Sequence, residues 1–520
     1  MAIVDVLGPA TTSATRKRLS LRNPATLEPL GEVEVATRDD VMLALSRARK
    51  AQALWAEQSF ESRAHVMQRA VRVLLDRQDE YIDVILSETP KTRSEALMMD
   101  IYAACDSLHF YAREAGKLLR PEKKRLHGMV AIAKKLQVVY KPLGVVGVIS
   151  PWNGPFILSI NPTIQALMAG NAVLLKPSSS TAFSGKLVGD LFEAAGLPEG
   201  LLTVVIGDSE AGQALLEIGV DKISFTGSEE TGRHVAKTCA ERFIPCTLEL
   251  GGKNPVIVCA DANLGNAAAG AVVGNFFNAG QYCGGTERVY VVDSVADDFI
   301  DKVVERTSKL RQGSEGEFDV GAIFWPQQLE IVEEHVADAI AKGAKVLAGG
   351  RRNPSLPGLY FEPTVLTDVT DDMRVLREET FGPVMSIVRV RDEEEAIRRA
   401  NDSKYGLTAS VWTRDKRKGF EIAKRIDTGS VDINDFPQTY GSAEAPFGGR
   451  KASGVGQVNG AAGLRGYCHA QPIQTDRFGG RQTAGRYPLS FKQDAGFQKF
   501  MRFLWGTGLG RKLSMMRLPW

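Results

Sequence analysis

Two side chains in glycine-rich surroundings define the chemistry open to this sequence. Glu249 precedes Gly251 and Gly252 in LELGGKNP, and Cys283 precedes Gly284 and Gly285 in NAGQYCGG, 34 positions later. Glycine lets backbone approach a ligand closely and take turns that a side chain forbids. A thiol and a carboxylate on such loops suit covalent catalysis, in which a thiolate attacks and an acid later activates water. Alone the pair proves little, because most cysteines in a long chain are small buried hydrophobes. That reading is kept for Cys105, Cys239, Cys246, Cys259 and Cys468. The cysteines show no CxxC or CxxH spacing and the six histidines no HExxH, so neither a metal site nor a disulfide frame is expected.

Three apolar strands with informative loops must position these groups. LGVVGVIS runs into Pro151-Trp152-Asn153-Gly154-Pro155, NAVLLK into Pro177-Ser178-Ser179, and DKISF into Thr226-Gly227-Ser228. Helical stretches (163–168, 185–195 and 211–217) separate them. Continuously apolar strands alternating with helices predict a parallel sheet covered on both faces, with ligands bound beyond the strands' carboxyl ends. The second half repeats this alternation. PVIVC, RVYVV, AKVLAG and MSIVRV read as strands, and 297–311, 327–341, 393–401 and 419–425 as helices. Between them lie EETFGPV, GLTASVW and PFGGRKASG. Residues 38–120 carry amphipathic helical patterning and read as covering helices without chemistry of their own. Gln137–Tyr140 is β-like. Asn263 to Thr286 contains no charge but is rich in Gly, Ala and Asn, which predicts a buried helix leading into the Cys283 loop rather than a membrane span.

The chain of 520 residues is long enough for two or three domains. With 44% hydrophobic and 24% charged residues and a net charge of +2, it offers nothing for nucleic acid. The N-terminal stretch places its bases after a short apolar run, the reverse of a secretory signal, so a reducing cytoplasmic setting is expected.

Taken together the loops resemble the aldehyde dehydrogenase superfamily over roughly residues 20–480. The matching segments are Pro151-Trp152-Asn153, Lys176-Pro177, Phe225-Thr226-Gly227-Ser228, Glu249-Leu250-Gly251-Gly252, Cys283, Glu379-Thr380-Phe381-Gly382-Pro383 and Pro446-Phe447-Gly448-Gly449, in order. The resemblance implies an α/β fold of two doubly wound parallel-sheet domains, one a Rossmann-like cofactor domain and one catalytic, plus a small β element for oligomerisation. Residues 1–122 and 143–250 would bind cofactor, 251–450 form the catalytic domain, and 123–142 with 466–480 supply oligomerisation strands. Residues 481–520 would be an extension with an amphipathic helix. It implies an NAD(P)-dependent aldehyde dehydrogenase in which Cys283 attacks the aldehyde, Asn153 and the Cys283 N–H hold the oxyanion, and Glu249 activates water. NAD or NADP would lie against Ile149, Ser150, Pro151, Trp152, Lys176, Ser179, Phe225, Thr226, Gly227, Ser228, Thr231, Leu250, Gly251, Glu379 and Phe381. Neither GxGxxG nor GxxxxGK[ST] occurs; instead Ser228 should cap a helix over 229–238 whose N-terminus suits a pyrophosphate. A homodimer or homotetramer is implied as well.

Three departures from the family pattern stand out. Ser179 replaces the acid that NAD-preferring members usually carry three residues after the lysine, which opens the site to NADP. Val458 stands where some members have a relay glutamate. Gly154 and Asn161 replace aromatic funnel residues, which predicts a wider entrance. In the tail, Phe497, Phe500, Met501 and Leu504 form one helical stripe ending at Trp505, before glycines, Arg511-Lys512 and SMMRLPW. The segment suits an interfacial helix, so peripheral membrane contact through 490–520 and an apolar medium- or long-chain aldehyde are expected. Packing on a partner subunit is the alternative for the tail. A CoA-acylating enzyme and a non-catalytic relative are the alternatives for the whole.

Overall fold

Five strands whose side chains are mostly buried form the body of the sheet from which most of the loops expected to bind cofactor emerge. The computed structural model describes residues 16–479 and 491–506; the N-terminal 15 residues and the final SMMRLPW lie outside them. The strand Val145–Ile149 pairs in parallel with Ala172–Lys176 on one side and Lys222–Thr226 on the other. Leu202–Val204 and Cys246–Glu249 extend the two edges in parallel, and the short Gly454–Val455 closes the second edge antiparallel. Chain order therefore reverses between Val145–Ile149 and Lys222–Thr226. Such a switch point opens a crevice at the strands' carboxyl ends, where residues 150–154 and 227–228 begin.

A second sheet of seven strands has the order Lys345–Ala348, Thr364–Thr367, Val384–Val390, Thr286–Val292, Asn254–Val258, Thr408–Trp412, Ser430–Ile433. Only its first pair is antiparallel. Thr408–Trp412, which the sequence pattern leaves between elements, is an interior strand buried at every position. Its Thr and Ser interrupt the apolar run that marks its neighbours, which hides it from a hydropathy pattern. The helix Leu264–Phe276 lies where the charge-free stretch predicts one. The Asn263 side chain caps it by accepting the Asn266 N–H, 3.2 Å.

The N-terminal region forms the helices Arg38–Ala56, Phe60–Asp76, Gln78–Glu88 and Ala103–Leu118. A π-helical turn over Ala96–Tyr102 interrupts them, and such turns often mark functional sites. The chain divides into two compact units. One comprises the residues up to Leu119 with Pro142–His469 and holds both sheets; the other comprises Arg120–Lys141 and the residues from Ala470 on. Strands Glu122–Lys124, Lys134–Pro142 and Cys468–Asp476 make a three-stranded sheet, all but Pro142, Cys468 and His469 of it in the second unit. The helix Phe491–Trp505 follows, with Phe497, Met501 and Trp505 exposed and Phe500 and Leu504 half-buried.

Candidate active site

The loop that carries Cys283 is fastened at nearly every step. Past Phe276 the backbone turns through Asn278 (φ 53°) and Ala279 (φ 54°), left-handed conformations that side chains rarely adopt. Gly280 follows at φ 74°, where a Cβ would sit 2.1 Å from the Gly382 carbonyl oxygen. The Glu95 carboxylate accepts the Asn278 N–H at 2.6 Å. Gln281 donates to the Asn278 and Ala322 carbonyls and accepts from the Phe324 N–H. The Asn254 amide donates to the carbonyls of Cys283 (2.8 Å) and Gly285 (2.7 Å), and the Thr408 hydroxyl donates to that of Gly284 (3.2 Å). Burial, with the nearby acids Glu249 and Glu379, pushes the Cys283 thiol up to about 12, opposed by hydrogen bonds from the N–H groups of Gly284 and Cys283 itself.

Glu249 is held differently. Its carbonyl accepts the Gly227 N–H (3.0 Å), and the next N–H, of Leu250, donates to the Ser453 carbonyl (2.9 Å). The carboxyl group is buried, and neither oxygen has a hydrogen-bond partner among the described residues. Desolvation alone raises its pKa well above the usual carboxylate range. This acid is protonated more readily than a surface glutamate.

Asn153 follows the strand Val145–Ile149 and is 5% exposed. Its side-chain amide donates to the Gln281 carbonyl at 3.1 Å, leaving a second N–H for a ligand. Its own carbonyl accepts from the Lys91 ammonium (3.0 Å) and the Asn278 amide (3.1 Å). Lys91 and Asp100 form an ion pair at 2.8 Å with both side chains fully buried. The other oxygen of Asp100 accepts the Phe156 and Ile157 N–H groups. Lys91, Glu95 and Asp100 belong to the region read as covering helices, so that reading is corrected: the π-helical turn helps hold the site. Nothing local marks the pair in the sequence, because Thr92, Arg93, Ser94 and Glu95 between them make the stretch look like ordinary surface.

The expected wide entrance is also corrected. A Cβ on Gly154 would lie 2.9 Å from Met99 Cε, so a methionine fills the space that the glycine leaves. Asn161 is 3% exposed and fully engaged, accepting from Ser107 (2.7 Å) and donating to Asn459 (2.9 Å) and Tyr440 (3.3 Å).

The residues expected to bind cofactor line the carboxyl edge of the first sheet and one loop of the second. Ile149 and Phe225 are register partners on adjacent strands; Ser150, Pro151, Trp152, Thr226 and Gly227 continue from them. The Lys176 ammonium bonds the Pro177 carbonyl at 3.2 Å, and burial lowers its pKa to about 8. Ser179 opens a short 3₁₀ turn. Ser228 caps the helix Glu229–Glu241 by accepting the Thr231 N–H. Among the described residues, the Glu229 and Glu230 N–H groups have no acceptor, so they suit an anion. Glu379 accepts the Gly252 N–H at 2.9 Å, and a Cβ on Gly251, the neighbour of Leu250, would lie 2.2 Å from its carboxylate. Burial pushes Glu379 up to about 8.

Phe381 adopts φ 49° and is fixed by Glu287, whose carboxylate accepts the Thr380 and Phe381 N–H groups and pairs with buried Lys253. Trp152 stacks on Phe324 at 4.3 Å and meets Phe381 (5.8 Å) and Trp325 (6.0 Å) edge-on. Phe324 and Trp325 give no sign in the sequence, since they fall in no recognisable motif. A cradle with an open helix N-terminus, a buried lysine, a glycine that admits a carboxylate and an aromatic wall fits a dinucleotide. Elsewhere Cys259, Asp261 and Glu393 bring ligand atoms within 4.8 Å of one another, but Lys418 pairs with both acids there.

This arrangement has counterparts. The model of the aldehyde dehydrogenase family matches residues 11–473. The chain belongs to that family. It is an NAD(P)-dependent aldehyde dehydrogenase. A relative from Mycolicibacterium smegmatis, provisionally named succinate-semialdehyde dehydrogenase (NADP+), is 44% identical over 452 residues, 86% of this chain and 87% of that protein. The 4,4'-diapolycopene aldehyde oxidase of a Methylomonas species is 39% identical over 92% of this chain and 89% of its own. The crystal structure of a Mycobacterium tuberculosis aldehyde dehydrogenase complexed with NAD+ superimposes with a TM-score of 0.85 at 35% identity, covering 90% of this chain and 96% of that one.

Proposed function

We propose that this aldehyde dehydrogenase oxidises apolar medium- or long-chain aldehydes to carboxylic acids through an acylated Cys283. The Cys283 sulfur bonds to the aldehyde carbon while the second Asn153 N–H and the Cys283 N–H hold the oxygen. One such preorganised donor contributes about 3 kcal/mol to lowering the barrier. The nicotinamide, when bound, is the electron sink for the oxidation. Glu249 then takes a proton from the water that cleaves the acyl group. Its free carboxyl also favours hydrolysis over transfer to CoA, since it gives water a base.

The observation that carries the substrate class is the surroundings of the sulfur. Cys283 packs on the apolar cluster Leu407, Phe447 and Val458, and the titratable groups acting on its thiol, Glu249 and Glu379, include no cation. A substrate ending in a carboxylate needs a cation to offset the loss of its hydration. This speaks against succinate semialdehyde, for which the Mycolicibacterium relative is named, and agrees with the hydrocarbon aldehyde in the name of the Methylomonas one. Ser179, with no charge to repel a 2′-phosphate, favours NADP alongside NAD. An oligomer built on the strands Lys134–Pro142 and Cys468–Asp476, and an interfacial contact through 490–520 in a cytoplasmic enzyme, complete the reading. Among the described residues no helix is long and apolar enough to cross a membrane, whereas the exposed Phe497, Met501 and Trp505 suit a surface contact.

A panel of aldehydes, assayed with NAD and NADP and with and without CoA, tests this. Each buried methylene is worth about 0.8 kcal/mol, so two more carbons should raise kcat/KM roughly tenfold until the pocket is filled. Deleting residues 490–520 should reduce activity on the longest aldehydes more than on the shortest. Preference for succinate semialdehyde over decanal, or a requirement for CoA, would overturn the proposal.

A further inference from the structure

A chain of neutral polar side chains stands beside the Cys283 loop. Tyr440, in the turn Thr439–Gly441, and Cys283 both pack on the cluster Leu407, Phe447 and Val458. The Tyr440 ring meets Phe447 edge-on at 5.2 Å. Its hydroxyl accepts from the Asn161 amide at 3.3 Å. The direction of that bond is fixed, because Asn161 Oδ1 is occupied by the Ser107 hydroxyl (2.7 Å) and the Gln165 amide (3.3 Å). Asn161 Nδ2 also donates to Asn459 Oδ1, and Asn459 in turn donates to the Tyr440 carbonyl (2.8 Å). An amide N–H can only donate. The Tyr440 hydroxyl therefore keeps its own proton, for which no acceptor occurs among the described residues.

Two groups lie close enough to act on that hydroxyl. The Cys283 and Glu249 charges both act on the Tyr440 hydroxyl, which burial keeps protonated, and neither Glu249 oxygen is hydrogen-bonded among the described residues. Buried polar groups are rarely left unpaired, and a water with two or more polar partners is the usual remedy. We propose that Tyr440, oriented by Asn161 and Ser107, holds the water that cleaves the acyl group from Cys283. This rests on the acyl-enzyme reading above.

The water would use one lone pair to accept from Tyr440 and one proton to bond Glu249, leaving its other lone pair for the thioester carbon. As the carbon–oxygen bond forms, Glu249 takes that proton. The carbon–sulfur bond then breaks with its electron pair going to sulfur. The carboxylic acid leaves, and the proton returns from Glu249 to the thiolate or to solvent. Tyr440 stays protonated throughout, so its contribution is placement, and loss of placement alone costs about 100-fold in well-documented cases.

Tyr440→Phe keeps the ring and removes the hydroxyl. With decanal and NAD(P), this variant should release one equivalent of NAD(P)H per site at a rate within twofold of the parent. Its steady-state kcat should fall about 10- to 100-fold, with the acyl mass found on Cys283. Hydroxylamine, which attacks a thioester without a base-bound water, should restore turnover. Asn161→Ala, which frees the hydroxyl from its anchor, should show the same pattern more weakly and serves if the first variant does not fold. Turnover by Tyr440→Phe at the parental rate would overturn the proposal. So would a first-equivalent rate that falls in step with kcat and is not rescued by hydroxylamine. Failure of the parent itself to acylate Cys283 would instead remove the reading on which this rests.

Discussion

Cys283 and Glu249, the two groups to which the proposed reaction assigns the chemistry, are held in opposite ways. Around Cys283 the backbone is bonded by Gln281, Asn254, Thr408 and Glu95, and two residues are forced into left-handed conformations. Glu249 has a fixed backbone but a carboxyl with no hydrogen-bond partner among the described residues. Leaving such a group unpaired costs about 1–3 kcal/mol, so the freedom is a feature that other interactions offset. The difference fits the two jobs proposed for them. A nucleophile must stand at one distance from one carbon. A base that serves a later step must reach a water that arrives only after that carbon has reacted.

If the contrast is right, the largest effect comes from the fixed partner. Cys283→Ser should lower aldehyde oxidation by at least about 10³-fold while nucleotide affinity, measured by fluorescence titration, changes less than twofold. Undiminished oxidation by this variant would break the comparison outright.

The scaffold behind the fixed side gives the next effect. Lys91→Met strands the buried Asp100 charge and should cost about 3–5 kcal/mol in denaturant unfolding. It also frees the Asn153 carbonyl, with a fall in kcat on the order of 100-fold through the misplaced oxyanion donor. Adding Asp100→Asn, which removes the charge and keeps an oxygen for the Phe156 and Ile157 N–H groups, should recover stability but not rate. Recovery of both would show that the pair is structural only.

The free side predicts the smallest and most specific change. Because burial raises the Glu249 pKa, the acid is protonated at low pH and gains its base function as pH rises. Where acyl hydrolysis limits turnover, kcat should climb severalfold with pH, with a midpoint well above the ordinary carboxylate range. Glu249→Gln should flatten that rise. An acid limb at the usual carboxylate value would mean that Glu249 is solvated and sharpen the contrast in the other direction.

Much of this is legible in the chain. Residues 145–149 are apolar and four of the five are buried, so their parallel pairing follows from composition, and the loops after them from strand polarity. Cys283, Glu249 and Asn153 stand out because glycines or turn formers surround them. Lys91 and Asp100 do not, because a buried ion pair looks like two surface charges until the chain folds. The wide entrance fails for a related reason: an absent side chain at Gly154 suggests open space, and only packing shows Met99 filling it. Tyr440 and Asn161 meet across 279 positions, and no local pattern joins them.

One consequence lies in how the cradle is divided. Lys176, Ser179 and Ser228 hang from the six-stranded sheet, while Glu379 and Phe381 sit on the loop that leads into Val384–Val390 of the seven-stranded sheet. Glu287 and Lys253 brace that loop from within the second sheet's own territory. If these residues bind the coenzyme as proposed, nucleotide preference and redox placement are separately adjustable in this scaffold. An engineer exchanging Ser179 to retune coenzyme choice should find the far end of the coenzyme undisturbed.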